Sequence, residues 1–403
     1  LEEKMKSYFT DNEKTLCSGC RCCEQVCPVG AISMKNDIEG FLHPIKDKEK
    51  CINCGLCEKR CPYVSNIYFT ENFEKPLVFA VSHNNQTTLK KSSSGGMFSA
   101  LAELVLGKGG AVVGCAFDDT LNPIHIIAED DESLVKIRGS KYIQSDTKTT
   151  FKETESMLKM GRWVLYTGTP CQIAGLKSYL NGRYEKLITV DLICHGTPNN
   201  ELFHAYLEWF ESKLKGKITG YRFRDKSKYG WASVGSITYE KNGKLYEKLI
   251  APDNDYFYHL YCLTGNIYRE CCYTCKYANL KREGDFTIGD YWNIQQFHTE
   301  LYPPNGVSVV LVNNDKAVQI FSEIENKVIA IQSDIENVIK SNGNLSRPSE
   351  RPSSRDFIYM DVEKLGFGAA AKKYCKINKL APKLKRAIPY DVKVKIKKYI
   401  GKS

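Results

Sequence analysis

Eight cysteines near the start of the chain constrain its fold more than any other feature. Cys17, Cys20, Cys23 and Cys27 precede Pro28, and Cys51, Cys54, Cys57 and Cys61 precede Pro62, so the spacing C-x2-C-x2-C-x3-C-P occurs twice. Each run wraps three thiolates around an iron–sulfur cube, and the fourth corner comes from the other run. The expected ligand sets for two [4Fe–4S] clusters are Cys17, Cys20, Cys23 with Cys61, and Cys51, Cys54, Cys57 with Cys27. The prolines end the local helices and turn the chain away from the cubes. Structural zinc sites pair C-x2-C units across a longer gap, unlike these two complete quartets. Cys22 falls outside the spacing and reads as a bystander thiol.

The 403 residues suit two or three domains, and 42% hydrophobic with 26% charged residues is an ordinary globular balance. Seventeen cysteines, with no secretory pattern at the start, point to metal or redox use in a reducing, anaerobic cytoplasm. Leu1 stands where Met would open a chain, so the natural start was trimmed or lies upstream. The most apolar stretch, 100–117, is broken by Glu103 and Lys108, so no transmembrane segment is expected. The net charge of +10 is uneven: between Lys372 and Ser403, 12 Lys or Arg stand against Asp391 alone, leaving the rest near neutrality. The body has no basic surplus for nucleic acid. The tail suits an acidic partner such as ferredoxin, an anionic membrane surface, or a solvated end.

The pattern divides the chain into a ferredoxin-like module (1–70), a core in two halves (76–215 and 216–345) and a basic tail (346–403), with a linker over 66–75. Strands are expected at 77–81, 111–117, 124–128, 163–166 and 187–193, and helices at 97–106, 151–160 and 200–214, with a further helix after the loop 167–172 and ending at Leu180. Gly107 is the expected stop of the first of these helices. Beyond 217 the pattern alternates, with strands at 218–224, 232–239, 244–250 and 306–312. The fold class is α/β grading to α+β, a small ferredoxin module followed by a mixed-sheet core.

Two loops fall at the carboxyl ends of expected strands, where open α/β sheets bind ligands: Thr167-Gly168-Thr169-Pro170-Cys171-Gln172 and Cys194-His195-Gly196. With Cys272 and Cys275 they supply a quartet, Cys171, Cys194, Cys272 and Cys275. Three readings are open: a third [4Fe–4S] cluster, a zinc knuckle at 271–275 beside two structural thiols, or a redox C-x2-C. Ser92-Ser93-Ser94-Gly95-Gly96 opens a helix and reads either as a phosphate-binding start or as a plain serine cap.

Lys91–Met97, Gly139-Ser140-Lys141-Tyr142, Thr167–Gly175, Asp191–Gly196, Cys272–Lys276 and Ile288–Trp292, in this order, resemble the family of coenzyme F420-reducing hydrogenase and dehydrogenase beta subunits, which includes 7-hydroxymethyl chlorophyll a reductase of plants. The resemblance runs over about 12–320. It implies an FAD-binding catalytic core, an iron–sulfur relay and a planar organic partner near the flavin. Under it, Ser92, Ser93, Ser94, Gly95, Gly96, Ser140, Lys141, Tyr142, Thr167, Gly168, Thr169, Pro170 and Gln172 line the flavin, and the third cluster gains support, with Cys262 or Cys271 as alternative ligands. Lys141 is then a candidate to stabilise anionic flavin, or else a loop lysine. His195 is a candidate proton donor, or else orients a cluster ligand. Asp290, Tyr291 and Trp292 border the substrate pocket, or else form a packed turn. The expected function is a ferredoxin-linked FAD and iron–sulfur oxidoreductase acting on an organic two-electron substrate. A coenzyme F420 reductase or oxidase subunit and a non-catalytic electron relay are the alternatives, and self-association is left open.

Overall fold

The computed structural model describes residues 7–64, 71–298, 305–377 and 392. Part of the expected linker and, in the basic tail, residues 378–391 and 393–403 lie outside the described residues.

The front module holds one hairpin, β1 (Ile32–Asn36) against antiparallel β2 (Leu42–Lys46). Its two cysteine runs fold alike. Each takes a left-handed residue just before a four-residue helix: Arg21 (φ 64°) before Cys22–Gln25 and Gly55 (φ 71°) before Leu56–Lys59. A second matched pair bends the preceding loop, Gly19 (φ 68°) and Asn53 (φ 55°). Their amides donate to the thiols of Cys17 and Cys51, both at 3.4 Å. The cysteine spacing thus dictates a curl that presents N–H groups to sulfur.

The core strands are β3 (Leu77–His83), β4 (Ala111–Phe117), β5 (Pro123–Ala128), β6 (Val164–Gly168), β7 (Leu187–Leu192), β8 (Lys217–Arg222), β9 (Gly235–Lys241), β10 (Lys244–Ile250), β11 (Phe286–Asp290), β12 (Ser308–Val312) and β13 (Val328–Gln332). Eight form one mixed sheet in the order β13-β3-β12-β11-β7-β6-β4-β5, drawing on both expected halves of the core. Its centre, β4-β6-β7-β11, is parallel. Parallel strands covered on both faces read as continuous apolar runs, as Ala111–Gly114 does; Leu187–Asp191 is equally buried but carries Thr189 and Asp191. Helix Met97–Gly107 covers one face. Helices Thr150–Lys159 and Pro170–Leu180 cover the other, and Cys20 and Cys22 of the front module complete that core. The first helix ends at Gly107, but the left-handed turn lies two residues on, at Gly109 (φ 69°).

Strands β8, β9 and β10 make a separate antiparallel sheet. An aromatic core joins it to helix Asn200–Leu214, with Phe203 edge-on to Tyr221 at 5.2 Å and to Phe257 at 5.3 Å. The tail expectation is corrected for 346–377. Helices Arg355–Leu365 and Phe367–Tyr374 pack on Asn200–Leu214, with Phe367 5.3 Å from Tyr206 and Gly368 giving Trp209 room. Arg355 is fully buried and grips both oxygens of Glu39 at 2.8 Å and the Tyr268 carbonyl at 2.8 Å, locking this end onto the front module. No helix among the described residues is long and apolar enough to cross a membrane.

Candidate functional site

The two runs build two different environments. Cys27, Cys51, Cys54 and Cys57 line one cavity of about 210 Å³, together with Val29, Ile52 and Lys46. It opens to solvent: Cys54 is exposed, as is Ile52 at 61%. Cys17, Cys20, Cys23 and Cys61 gather on the inner side. Burial pushes the Cys20 thiol up to about 12, and the charges of Cys61 and Cys17 push the same way. Burial also raises Cys23, with Cys20, Cys17 and Cys61 adding. Iron would reverse this, because a coordinated thiol is deprotonated outright. Among the described residues no three His, Cys, Asp or Glu converge to chelate a single ion. Thiols standing around a volume suit a polynuclear cluster better than one zinc.

The inner group rests on helix Pro170–Leu180. A Cβ at Gly175 would lie 3.0 Å from the Cys20 sulfur, so glycine is what lets the module approach. One residue into the same helix stands Cys171, its sulfur 3.1 Å from the Thr169 hydroxyl. Burial pushes its thiol up to about 12, and Cys271, Cys275 and Cys20 raise it further. Burial, Cys171 and Cys275 raise Cys194. Cys171, Cys194, Cys271 and Cys275 thus lie in one neighbourhood, and Cys272 adjoins it through Cys271, whose thiol it raises more than burial does. On the tight turn Glu270–Cys272 the two neighbouring thiols meet, Cys271 buried and Cys272 half-buried against the aromatic core, so the expected Cys272 and its alternative Cys271 both stand beside this group. Asp191 holds the arrangement. It accepts from Arg282 Nη2 at 2.8 Å and from the amides of Glu283 and Gly284 at 2.9 and 2.8 Å, tying β7 to the segment after Cys275.

Tyr63, two residues past Cys61, spans the inner and third groups. Burial raises its hydroxyl, followed by Cys271, Tyr277, Cys171 and Cys275. Tyr277 meets it edge-on at 6.1 Å, and the Lys276 ammonium lies 5.4 Å from both rings.

Beyond the third group, at the carboxyl edge of the sheet, lie His195 and the end of β11. Asp290 accepts from Arg224 Nη1 at 2.8 Å and from the Trp231 indole at 2.8 Å. Trp231 and Trp292 stack at 5.2 Å with their planes 4° apart, and the Arg224 guanidinium sits 5.1 Å from the Trp292 ring. Arg224 also reaches the Tyr142 hydroxyl at 3.3 Å, yet among the described residues its buried Nη2 has no partner. Burial lowers His195, opposed by Asp290. Tyr291 faces the core instead, its hydroxyl 2.6 Å from Ser333.

The expected flavin loops meet in part. The Ser140 amide donates to the Ser93 hydroxyl at 2.8 Å. Ser92 and Ser94 donate inward, to Thr88 and Val307 carbonyls at 2.8 and 2.9 Å. Gly95 brings the loop against Val81 and Ser308, so it serves contact with the sheet edge, and left-handed Gly96 (φ 84°) caps the next helix. Lys141 is drawn to the end of helix Asp131–Ile137, donating to carbonyls of Lys136, Ile137 and Arg138 at 2.8, 3.0 and 3.2 Å. It serves there as a helix C-terminal cation. Gln172 is likewise engaged, by Thr169 and by Ser145 at 3.0 Å, and Thr167 by the Val113 carbonyl at 3.1 Å. Gly168 keeps close to Gln172, and Pro170 starts the helix.

The family model for the N terminus of the coenzyme F420 hydrogenase/dehydrogenase beta subunit matches residues 78–152, that for its C terminus matches 161–337, and a 4Fe-4S dicluster domain matches 16–65. The chain belongs to this family of beta subunits. It is an iron–sulfur, oxidoreductase-type electron-transfer protein with a fused dicluster module. It is 24% identical over 302 residues to a subunit of the F(420)H(2) dehydrogenase of Methanosarcina mazei, covering 71% of this chain and 80% of that one. An uncharacterised protein of Methanocaldococcus jannaschii is 26% identical over 213 residues, 44% of this chain and 57% of its own length. The F420-reducing [NiFe] hydrogenase complex of Methanosarcina barkeri contains a chain matching at TM-score 0.42 and 16% identity, over 74% of this chain and 91% of that one.

For this family member, sequence reading missed Arg224, Lys226 and Tyr63. Lys226 is buried, with its ammonium on the carbonyls of Leu89 (3.1 Å), Ser94 (2.7 Å) and Asn305; burial and then the Arg224 charge lower it to about 7. The cationic run Arg222–Lys228 was the available signal, but nothing in it marks which cations turn inward.

Proposed function

We propose that this chain exchanges electrons between a low-potential carrier of the ferredoxin type and an organic two-electron substrate, with three [4Fe–4S] clusters and FAD as bound groups. The observation that carries this is the succession of thiol groups: an open one, an inner one, and a third reaching His195 and Asp290 at the sheet edge. Cys27, Cys51, Cys54 and Cys57 would hold the cluster nearest solvent. Cys17, Cys20, Cys23 and Cys61 would hold the second, and Cys171, Cys194, Cys275 and one of the adjacent pair Cys272 and Cys271 the third. Clusters pass single electrons, and a bound flavin joins them to two-electron chemistry.

The unpartnered Arg224 Nη2 beside Trp231, Trp292 and Tyr142 fits a planar, electron-rich ring. Asp290 fixes the guanidinium so that its free edge stays aimed, and the indole pair keeps water from one side. His195 is the candidate proton donor beside such a ring, with Asp290 opposing the lowering that burial imposes on it. The same donor set suits an anionic deazaflavin, the reading the name of the Methanosarcina mazei relative favours.

Anaerobic isolation tests the proposal. About 12 iron atoms per chain and bound FAD are expected, with reduction by ferredoxin. Iron without flavin would leave an electron relay. Loss of one cluster in Cys272→Ser and not in Cys271→Ser assigns Cys272 as the ligand; the reverse assigns Cys271.

A further inference from the structure

Arg269 is a cation buried between two sets of thiols. It is 2% exposed. Its Nε donates to the Cys17 carbonyl at 2.7 Å, Nη1 to the Gln144 amide oxygen at 3.2 Å and Nη2 to the Leu42 carbonyl at 2.7 Å. Nη2 also points at the Cys17 sulfur, 3.7 Å away, and at His43. Arg269 lies two residues before Cys271, and its own amide is held by the Thr197 carbonyl at 3.0 Å. Among the described residues none of these partners is a carboxylate. Burying a guanidinium without countercharge is costly, and the charges nearest it are those of Cys17, Cys271 and Cys272. A cubane held by four thiolates carries the missing negative charge.

Among the described residues the outer group has no equivalent. The cation lining its cavity is Lys46, which is exposed and therefore screened by water. Net charge, hydrogen bonds to sulfur and exposure set a cluster's potential, and all three differ between the two groups.

We infer that Arg269 raises the reduction potential of the inner cluster above that of the outer one, so that ligand sets of identical spacing become two unequal stations. One electron leaves the outer cluster, which is oxidised, and enters the inner cluster, which is reduced. No proton need accompany it, because the compensating charge is already fixed in place. Arg269 is a tuning and positioning residue, and it touches no substrate.

The test is an anaerobic redox titration of the full chain followed by electron paramagnetic resonance, with Cys54→Ser identifying the outer signal. Arg269→Gln should weaken reduction of the inner cluster at least tenfold, about 59 mV for one electron, and leave the outer midpoint in place. Arg269→Lys should keep the inner midpoint above the outer. An unmoved inner midpoint, or equal shifts of both clusters, overturns the inference. If Arg269→Gln binds no inner cluster, Arg269→Lys decides: an inner midpoint at or below the outer one overturns the inference. This rests on the two-cluster reading of the front module alone. Fewer than about eight irons would remove that reading, whereas full iron with unmoved midpoints removes only the role of Arg269.

Discussion

The two cysteine runs share spacing, left-handed turns and N–H donors to sulfur, yet one quartet faces water and the other is sealed against the core. The inner quartet has Gly175 beneath Cys20 and Arg269 beside Cys17. The outer has exposed Ile52 and Lys46. A repeated motif sets the chemistry that a site can hold, and the surroundings decide whether it meets a partner or passes electrons inward.

The largest effect should come from Gly175→Leu, which drives side-chain atoms into Cys20. Iron should fall by about four atoms per chain, with the outer cluster's resonance kept and electron delivery to the core lost. Retention of the inner resonance would break the contrast. Next, Arg355→Met leaves Glu39 without its buried fork and should cost about 3–5 kcal/mol. Thermal unfolding and limited proteolysis should show the front module loosening as a unit; an unchanged melting temperature would mean that cluster contacts alone dock it.

A smaller effect tests an interior cation away from the clusters. Lys226 is lowered to about 7 by burial and by Arg224, while an unfolded lysine titrates near ~10.4. The unfolded chain binds the extra proton between those values, so the penalty is full below about pH 7 and is relieved as the pH rises. Denaturant unfolding at pH 7 and 9 should show this gain in the natural chain and its loss in Lys226→Met. The smallest effect belongs to Lys46→Gln. Reduction by an acidic carrier should slow a few-fold at low salt and not at high salt, with the inner midpoint unmoved.

Much of the secondary structure was legible because it rests on local pattern. Helix Asn200–Leu214 and strand Ala111–Phe117 have the expected bounds. The long-range pairings were not: β11 joins β7, and β12 joins β3, across the whole core. Within the site, Lys141 and Gln172 were singled out by position in loops, but neighbouring carbonyls and hydroxyls engage both. Cys272 and Cys271 are adjacent, so spacing alone does not separate them, and their thiols meet on the turn Glu270–Cys272.

By itself the sequence determined what each cysteine run can hold, since spacing and turn residues act within a dozen positions. It determined the apolar runs that become central strands for the same local reason. Only the tertiary structure decided that one run is buried and the other open, because Gly175, Arg269 and Arg355 reach the module from more than a hundred residues away. That distance along the chain is also why two equal motifs acquire unequal surroundings.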